Sequence, residues 1–557
     1  MSRQVSSPVQ VPPRRAGDDV PAPPQRPAAE DPVVAGLAEA VGGPAGRHAR
    51  LGERRFWKPV RWLVLLTLLT SLLGFWQKSP CRVHPWTEEY QYTRACYTDV
   101  FALYFAERLN EGRAPYLEHP VEYPVVMGLV MQASAEVVEV FPPDQRPRRF
   151  YDVTWALLTA CAVVVTVTTV RLAGRRRVWD AALLAASPGL LLHGSTNWDL
   201  VATALAGLGL LAWARRRPVL AGALLGLGAA TKLYPVLFLV PLLALCWRAG
   251  RLRAGVQAAG ATVVATLAVV APAYLVSPAF AEVQGAQIRV AGSPLERFGT
   301  EGLGALAPHV EVASPVEPGA TVEGTNAVYR FVELNRTRSA DWDSLYYHLA
   351  RLEAAEPDST PDRLRNAALS LVLDGPRAPG EAPDTLNRAV AVTFGLSLVA
   401  LVALALRAPR RPRLPQLLFL LLVAFLLTNK VFSPQYLVWL LPLAVLARPR
   451  WRPFLAWQAT EVFVLFTRFY YFIANDRPGE GIPVGWFTAA VLLRDLALLG
   501  YAALVVRDVL HPEHDVVRTD PLTGRPTGVD DPAGGLLDGA PDRGSAGPVS
   551  RRLPTAA

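Results

Sequence analysis

The sequence predicts an all-α polytopic membrane protein, on three observations. Hydrophobic residues make up 51% of the 557 residues and charged ones only 18%. Mean hydropathy is positive, at +0.23. Many apolar runs approach the roughly 20 residues that span a bilayer. The net charge of +9 comes largely from arginines at the ends of those runs. That is the pattern of membrane orientation by cytoplasmic cations and not of a nucleic-acid surface, so membrane lipids are expected as surroundings and no nucleic acid as a partner.

The tails come first in the argument because they bound the body. Residues 1–55 are rich in Pro, Arg and Ala, and 507–557 repeat Asp, Gly and Pro. Neither composition can bury a core, so both are expected to be disordered cytoplasmic tails around a transmembrane body at 56–506. The apolar runs are 60–76, 123–141, 151–170, 178–195, 198–214, 218–247, 254–276, 386–407, 414–447, 453–473 and 484–506, with breaks at Lys232 and Lys430. Arginine clusters lie at 171–177, 215–217, 248–253, 407–413 and 448–452. Placing all five in the cytoplasm gives about twelve spans, with 123–141 lying on the outer surface instead of crossing. Two long loops then face outward, 77–150 and 277–385. The second is long enough for a few helices, and loops of such length are usually functional.

Both breaks fall at the outer edge of the bilayer. Lys232 lies in "TKLYP" and Lys430 in "NKVFSPQY". A lysine there can mark a helix end by reaching for water. Two lysines, each followed by an aromatic and a proline, fit a shared anionic lipid phosphate better. Ser433, Gln435 and Tyr436 add hydrogen-bonding groups at that level.

In the first outer loop, "CYTDVFALYFAERLNEGRAPYLEHPVEYP", Thr98 can cap a helix that begins at Asp99 and runs to Gly112. Asp99 then sits just outside the membrane, where a partly dehydrated carboxylate can serve as a general base. Glu122, Tyr123, His193, Asn197 and Asp199 face the same side, as do Asp341, Asp343 and Ser344. Arg336 and Arg338 could hold phosphate, and Trp342, Tyr346 and Tyr347 could stack on sugar faces. Cys81 and Cys96 share the outer loop and could form a disulfide. By closing a loop of ~15 residues, it would stabilise the segment by about 3 kcal/mol and fix the approach to Asp99. No Walker, GxGxxG or GxSxG motif occurs, and Asp341 with Asp343 lacks the His or Cys that would complete a ligand set. No metal and no cofactor are therefore expected.

Four stretches in order carry a resemblance: "TDVFALYFAERLNEGRAPY" with "VEYP", "SPGLLLHGSTNWDLVATALAGLGLLA", "LAGALLGLGAATKLYPVLFLVPLL" and "NKVFSPQYLVWLLPL". Over about residues 60–506 the chain resembles the glycosyltransferase-C superfamily. Within it, the likeness is to the bacterial polyprenyl-phosphate-mannose-dependent mannosyltransferases of glycosyltransferase family 87. The resemblance implies a glycosyltransferase-C-like bundle with outer juxtamembrane helices in the bacterial plasma membrane and an active site on the outer face. It implies transfer of a hexose, mannose, from a polyprenyl-phosphate donor to an envelope glycolipid or cell-wall glycan, with inversion. Asp99 matches the family's base, while Tyr123-Pro124-Val125 departs from the family's usual "YPP". Lys232, Lys430, Arg336 and Arg338 would hold the donor phosphate. Glu122, Tyr123, Asn197, Asp199, Asp341, Asp343, Ser344, Gln435 and Tyr436 would contact substrate. Two other classes stay open on the residues alone: a lipid or lipid-linked-sugar transporter or flippase, which would also need intramembrane charge and broken helices, and a non-catalytic partner of envelope enzymes.

Overall fold

The computed structural model describes residues 31–42, 58–84, 89–314, 320–353, 360–374, 381–520 and 525–544. The chain is mostly helical. Among the described residues, five helices are long and apolar enough to cross a membrane: Pro59–Val83, Arg146–Ala173, Leu252–Val276, Asp384–Arg407 and Val484–Leu510. Shorter apolar helices fill in between them. Val125–Val138, in the run expected to lie on the surface, has 14 residues, fewer than the roughly 20 of a perpendicular crossing.

The run 178–195 is one crossing in the sequence reading and three short pieces in the structure, Val178–Ala181, Ala182–Ala185 and Pro188–His193. The break has a local cause. The Ser187 hydroxyl accepts from the Leu190 amide at 3.0 Å, and Pro188 sits in the first turn. Together they start a new helix and end the old one. Elsewhere small residues allow close packing. Gly222 and Gly226 bring helix Pro218–Ala229 so near Leu252–Val276 that Thr262 and Thr266 donate to their carbonyls, each at 3.1 Å.

The breaks at Lys232 and Lys430 are present. Helix Pro218–Ala229 stops before Lys232, and the chain restarts as Tyr234–Leu237 and Leu239–Arg248. Helix Leu414–Thr428 stops before Lys430, and a short turn at Pro434–Tyr436 leads into Leu437–Ala447.

The outer loop 277–385 holds helices, as expected, but also an unexpected four-stranded antiparallel sheet. Its strands are β1 (Ala279–Val283), β2 (Ala286–Ala291), β3 (His309–Ala313) and β4 (Thr321–Asn326), in spatial order β2-β1-β4-β3. Gln284 and Gly285 both have positive φ, 52° and 77°, which suits a two-residue hairpin turn whose twist matches its strands. The fold is therefore mostly but not wholly α.

The tails also depart from expectation. Residues 31–42, within the supposed N-terminal tail, form a helix (Pro32–Gly42), and Asp31 Oδ2 accepts from the Trp451 amide at 3.1 Å. The rest of 1–55 lies outside the described residues. At the other end, 511–519 and 525–544 wrap the arginine-rich end of the bundle. Arg413 pairs with Asp515 through two hydrogen bonds, 2.7 and 3.0 Å, with side chains 2% and 1% exposed. Arg248 does the same with Asp542, at 2.6 and 2.9 Å. Arg410, Arg411 and Arg518 converge on Asp530. Trp213 Nε1 donates to the Gly534 carbonyl at 2.8 Å. A segment with few apolar residues is ordered because its acids meet buried guanidinium groups that need them.

Removing one partner of such a pair leaves a buried charge unpaired, which typically costs about 3–5 kcal/mol. Asp515→Ala is expected to destabilise the purified protein by that order, read from the shift of its thermal unfolding midpoint. An unshifted midpoint would mean that the strap contributes nothing to stability.

Candidate active site

The site is built where three segments converge on Asp99. Thr98 accepts from the Val100 amide and caps the helix Asp99–Ala106, as its sequence suggests. That helix ends before Gly112: Arg108 turns left-handed, φ 52°, and a short 3₁₀ turn, Leu109–Glu111, follows. The Asp99 amide donates to the Thr196 carbonyl at 2.8 Å, and the Thr98 hydroxyl donates to the carbonyls of Ser195 and Thr196 at 2.9 and 3.1 Å. The start of the outer helix is thus stitched to the "HGSTNWD" turn. On its other side, Cys81 and Cys96 are disulfide-bonded, with Cα atoms 5.7 Å apart. Lys78 donates to the Tyr97 carbonyl at 2.6 Å, and Gln77 to that of Ala95 at 2.5 Å. The segment 95–99 has little freedom.

The carboxylate of Asp99 is half-buried, and among the described residues its side-chain donors are neutral. Tyr97 Oη donates to Oδ1 at 2.6 Å. Asn197 Nδ2 donates to Oδ2 at 2.7 Å, and Gln435 Nε2 to the same atom at 3.3 Å. Asn197 also donates to Tyr123 Oη, 2.7 Å, while its own oxygen accepts from the Trp198 amide, 2.6 Å. A carboxylate offers about four lone-pair positions. Three are filled, and the open one belongs to Oδ1.

Asp99 faces a cavity of about 810 Å³. Of the residues singled out in the sequence, Glu122, Tyr123, Lys232, Arg338 and Asp341 line it. Lys430, Gln435 and Tyr436 line it too, while Leu233, Val390 and Phe425 give it an apolar side. Burial raises the Glu122 carboxyl pKa above its ordinary value, against the pull of Arg338.

Ser433 and Trp342 line the cavity as well, and the other expected site residues do not. Asn197 lies behind Asp99 as an orienting amide. Asp199 is buried 3.4 Å from Lys232 Nζ and accepts from Trp439 Nε1 at 2.8 Å, so it neutralises and positions the lysine. Asp343 is fully buried against Arg468, 3.1 Å away. Burial lifts its carboxyl to about 6. Ser344 hydrogen-bonds back to the Asp341 carbonyl, 2.8 Å. Arg336 contributes its carbonyl and not its guanidinium. His193 and Tyr346 are buried away from the opening.

The two lysines, read as equivalents, differ. Lys232 sits over the rings of Tyr123 and Tyr436, at 4.8 and 5.2 Å from their centroids, where each ring's negative face holds a cation. Lys430 donates to the carbonyls of Arg336 and Arg338, at 3.2 and 2.7 Å, and to Asn387 Oδ1 at 2.6 Å. An ammonium has three N–H donors, and all three are spent. Lys430 therefore pins the outer loop to the cavity rim and does not present free donors to a phosphate.

Among the charged residues that line the cavity, one was missed. Arg468, on helix Trp451–Asp476, lines the cavity beside Trp342 and Tyr97. Its signal was plain: an arginine inside the apolar run 453–473 is costly in a membrane and marks a site by default.

Two solved structures of the Archaeoglobus fulgidus oligosaccharyltransferase are similar to this chain. One is the apo form, at 12% identity and TM-score 0.35, covering 82% of this chain and 57% of that one. The other is AglB in complex with an inhibitory peptide and a dolichol-phosphate, at 13% identity and TM-score 0.33, covering 81% and 56%. The chain thus spans little more than half the length of these structures. No curated protein matches. The model of Glycosyltransferase family 87 matches residues 123–293. Over that stretch, the likeness to glycosyltransferase family 87 read from the sequence is shown.

Proposed function

We propose that the chain is a membrane glycosyltransferase. It moves a hexose, mannose on the family likeness, from a polyprenyl-phosphate donor to an envelope glycolipid or glycan on the outer face of the bacterial plasma membrane. The observation that carries this reading is one cavity in which an oriented carboxylate, three cations and an apolar side meet. Asp99 is the base. Lys232, Arg338 and Arg468 are the cations, and Leu233, Val390 and Phe425 suit the first isoprene units of a lipid.

The chemistry follows from the free lone pair on Asp99 Oδ1. An acceptor hydroxyl donates its proton there, and its oxygen attacks the anomeric carbon. The bond from that carbon to the phosphate oxygen breaks, and the polyprenyl phosphate leaves with the electron pair. Fixed cations stabilise the charge that develops on it, with no reorganisation at the moment of reaction. A single displacement inverts the centre, giving an α-linked product from a β-linked donor. A phosphate is a good leaving group, so no strong general acid is required. Twelve crossings, with 123–141 on the outer surface, put Asp99 and both lysine breaks on the same side.

Asp99→Asn keeps size and helix start but cannot take the proton. A general base is worth about 10²–10⁴ in rate, so this variant is expected to bind donor normally and to transfer at least about a hundredfold more slowly. Transfer at the parental rate would exclude Asp99 as the base.

Arg338→Met is expected to weaken polyprenyl-phosphate binding by about 10–100-fold, the worth of hydrogen bonds to a charged group. Lys430→Met should instead loosen the outer loop, read as increased amide exchange at 336–341. Unchanged donor affinity in Arg338→Met would remove that arginine from the phosphate site.

Topology is checked by labelling Gln145→Cys and Arg175→Cys with a membrane-impermeant maleimide. Position 145 should label from outside only and 175 from inside only. The reverse at either position rules out the twelve-span threading.

A further inference from the structure

We propose that Trp342, backed by Tyr347, Tyr471 and Phe472, is a subsite for a pyranose ring of the acceptor glycan. The proposal rests on the transferase reading and extends it to the side from which acceptor arrives. Trp342 lines the cavity and is 37% exposed. A large aromatic left more than a third exposed forfeits burial that would stabilise the fold, and a flexible loop would turn it inward.

This loop is not free to do so. The Asp341 amide donates to the Lys430 carbonyl at 2.8 Å, and Asp341 Oδ2 accepts from Ser433 at 3.0 Å. On the other side of Trp342, Asp343 is ion-paired to Arg468 at 3.1 Å, and its carbonyl accepts from Arg494 at 2.6 Å. The indole is thus held from both flanks in a position its own hydrophobicity does not favour.

Its surroundings select the ligand class. Behind it lie Tyr347, Phe472 and Tyr471, with ring centroids at 5.0, 5.1 and 6.1 Å. The edge of this cluster is polar. The hydroxyls of Tyr347 and Tyr471 are 3.2 Å apart, and Arg351 Nη1 reaches them at 3.2 and 3.3 Å. A pyranose has a C–H face for an aromatic ring and hydroxyls around its rim for such partners. An isoprenoid chain carries no hydroxyls to meet that edge. The apolar side from Leu233, Val390 and Phe425 comes from other elements and serves the lipid.

The test is saturation-transfer NMR on the full chain in lipid nanodiscs, titrated with α-1,6-mannotetraose, maltotetraose and β-1,4-galactotetraose. Binding of undecaprenyl phosphate is measured in parallel. At least one tetrasaccharide should bind. Trp342→Leu should weaken it about 2–10-fold, the size of one lost aromatic contact, and Trp342→Phe should largely restore it. Undecaprenyl phosphate should bind both variants as it binds the parent. The proposal is overturned by binding of none of the three sugars, or by parental sugar binding in Trp342→Leu. Loss of undecaprenyl phosphate in place of sugar would overturn it as well and make Trp342 part of the lipid wall. Sugar binding needs no turnover and should survive Asp99→Asn. If Asp99→Asn transfers at the parental rate while sugar still binds through Trp342, the assigned base is wrong and the subsite stands.

Discussion

Everything around the cavity depends on holding one carboxylate where water does not fully solvate it. Asp99 is held by Tyr97 on its own segment, Asn197 from the "HGSTNWD" turn and Gln435 from the second broken hairpin. These three points are far apart in sequence, and each is the tip of a different piece of the membrane body. Neutral donors orient the carboxylate, and one lone pair of Oδ1 stays open toward the cavity. The nearby cations are occupied elsewhere: Lys232 with Asp199, Arg468 with Asp343 and Lys78 with a backbone carbonyl. The site keeps acid and cation in one cavity yet separately partnered, which an acid–phosphate chemistry requires.

How much of this was legible follows from the physics of each signal. Asp99 could be read because its helix start is local: a threonine cap and an acid in the first turn. The breaks at Lys232 and Lys430 could be read because a cation interrupts an apolar run in a medium where charge is expensive. Their different roles could not be read. They depend on whether a carbonyl or a carboxylate lies within about 3 Å, which is a property of distant chain. Arg468 obeys the same rule as the lysines, but no proline or helix break beside it marks the position.

Two larger misses have opposite causes. The β1–β2 hairpin was written in the sequence as "AFAEVQGAQIRVA", short alternating stretches about a Gln-Gly turn, and a polar outer loop simply drew attention to helices instead. The C-terminal strap carries no such pattern. Its order comes from Asp515, Asp530 and Asp542 meeting Arg413, Arg411, Arg518 and Arg248, and composition alone reads those acids as solvated. Three of these arginines, Arg248, Arg411 and Arg413, were assigned to membrane orientation by charge. The two roles are compatible, since a guanidinium that orients a helix must still be neutralised once it is buried.

These contacts also weigh against the transporter alternative. Alternating access requires one part of the bundle to swing against another around the site. Here the second hairpin is tied to the outer loop at three places: Lys430 to the carbonyls of Arg336 and Arg338, Asp341 to the Lys430 carbonyl, and Ser433 to Asp341. At the opposite end, the strap links the helix ends at Trp213, Arg248 and Arg413 through buried hydrogen bonds and ion pairs. Opening toward that end would break several buried ion pairs together, each with its own desolvation penalty. A transferase asks for no such motion. It needs a lipid to slide in from the side and a hydroxyl to come from above, against groups that stay where they are. A cavity that Asp99, the proposed base, lines and whose cations are fixed by their own partners meets that requirement with the bundle closed.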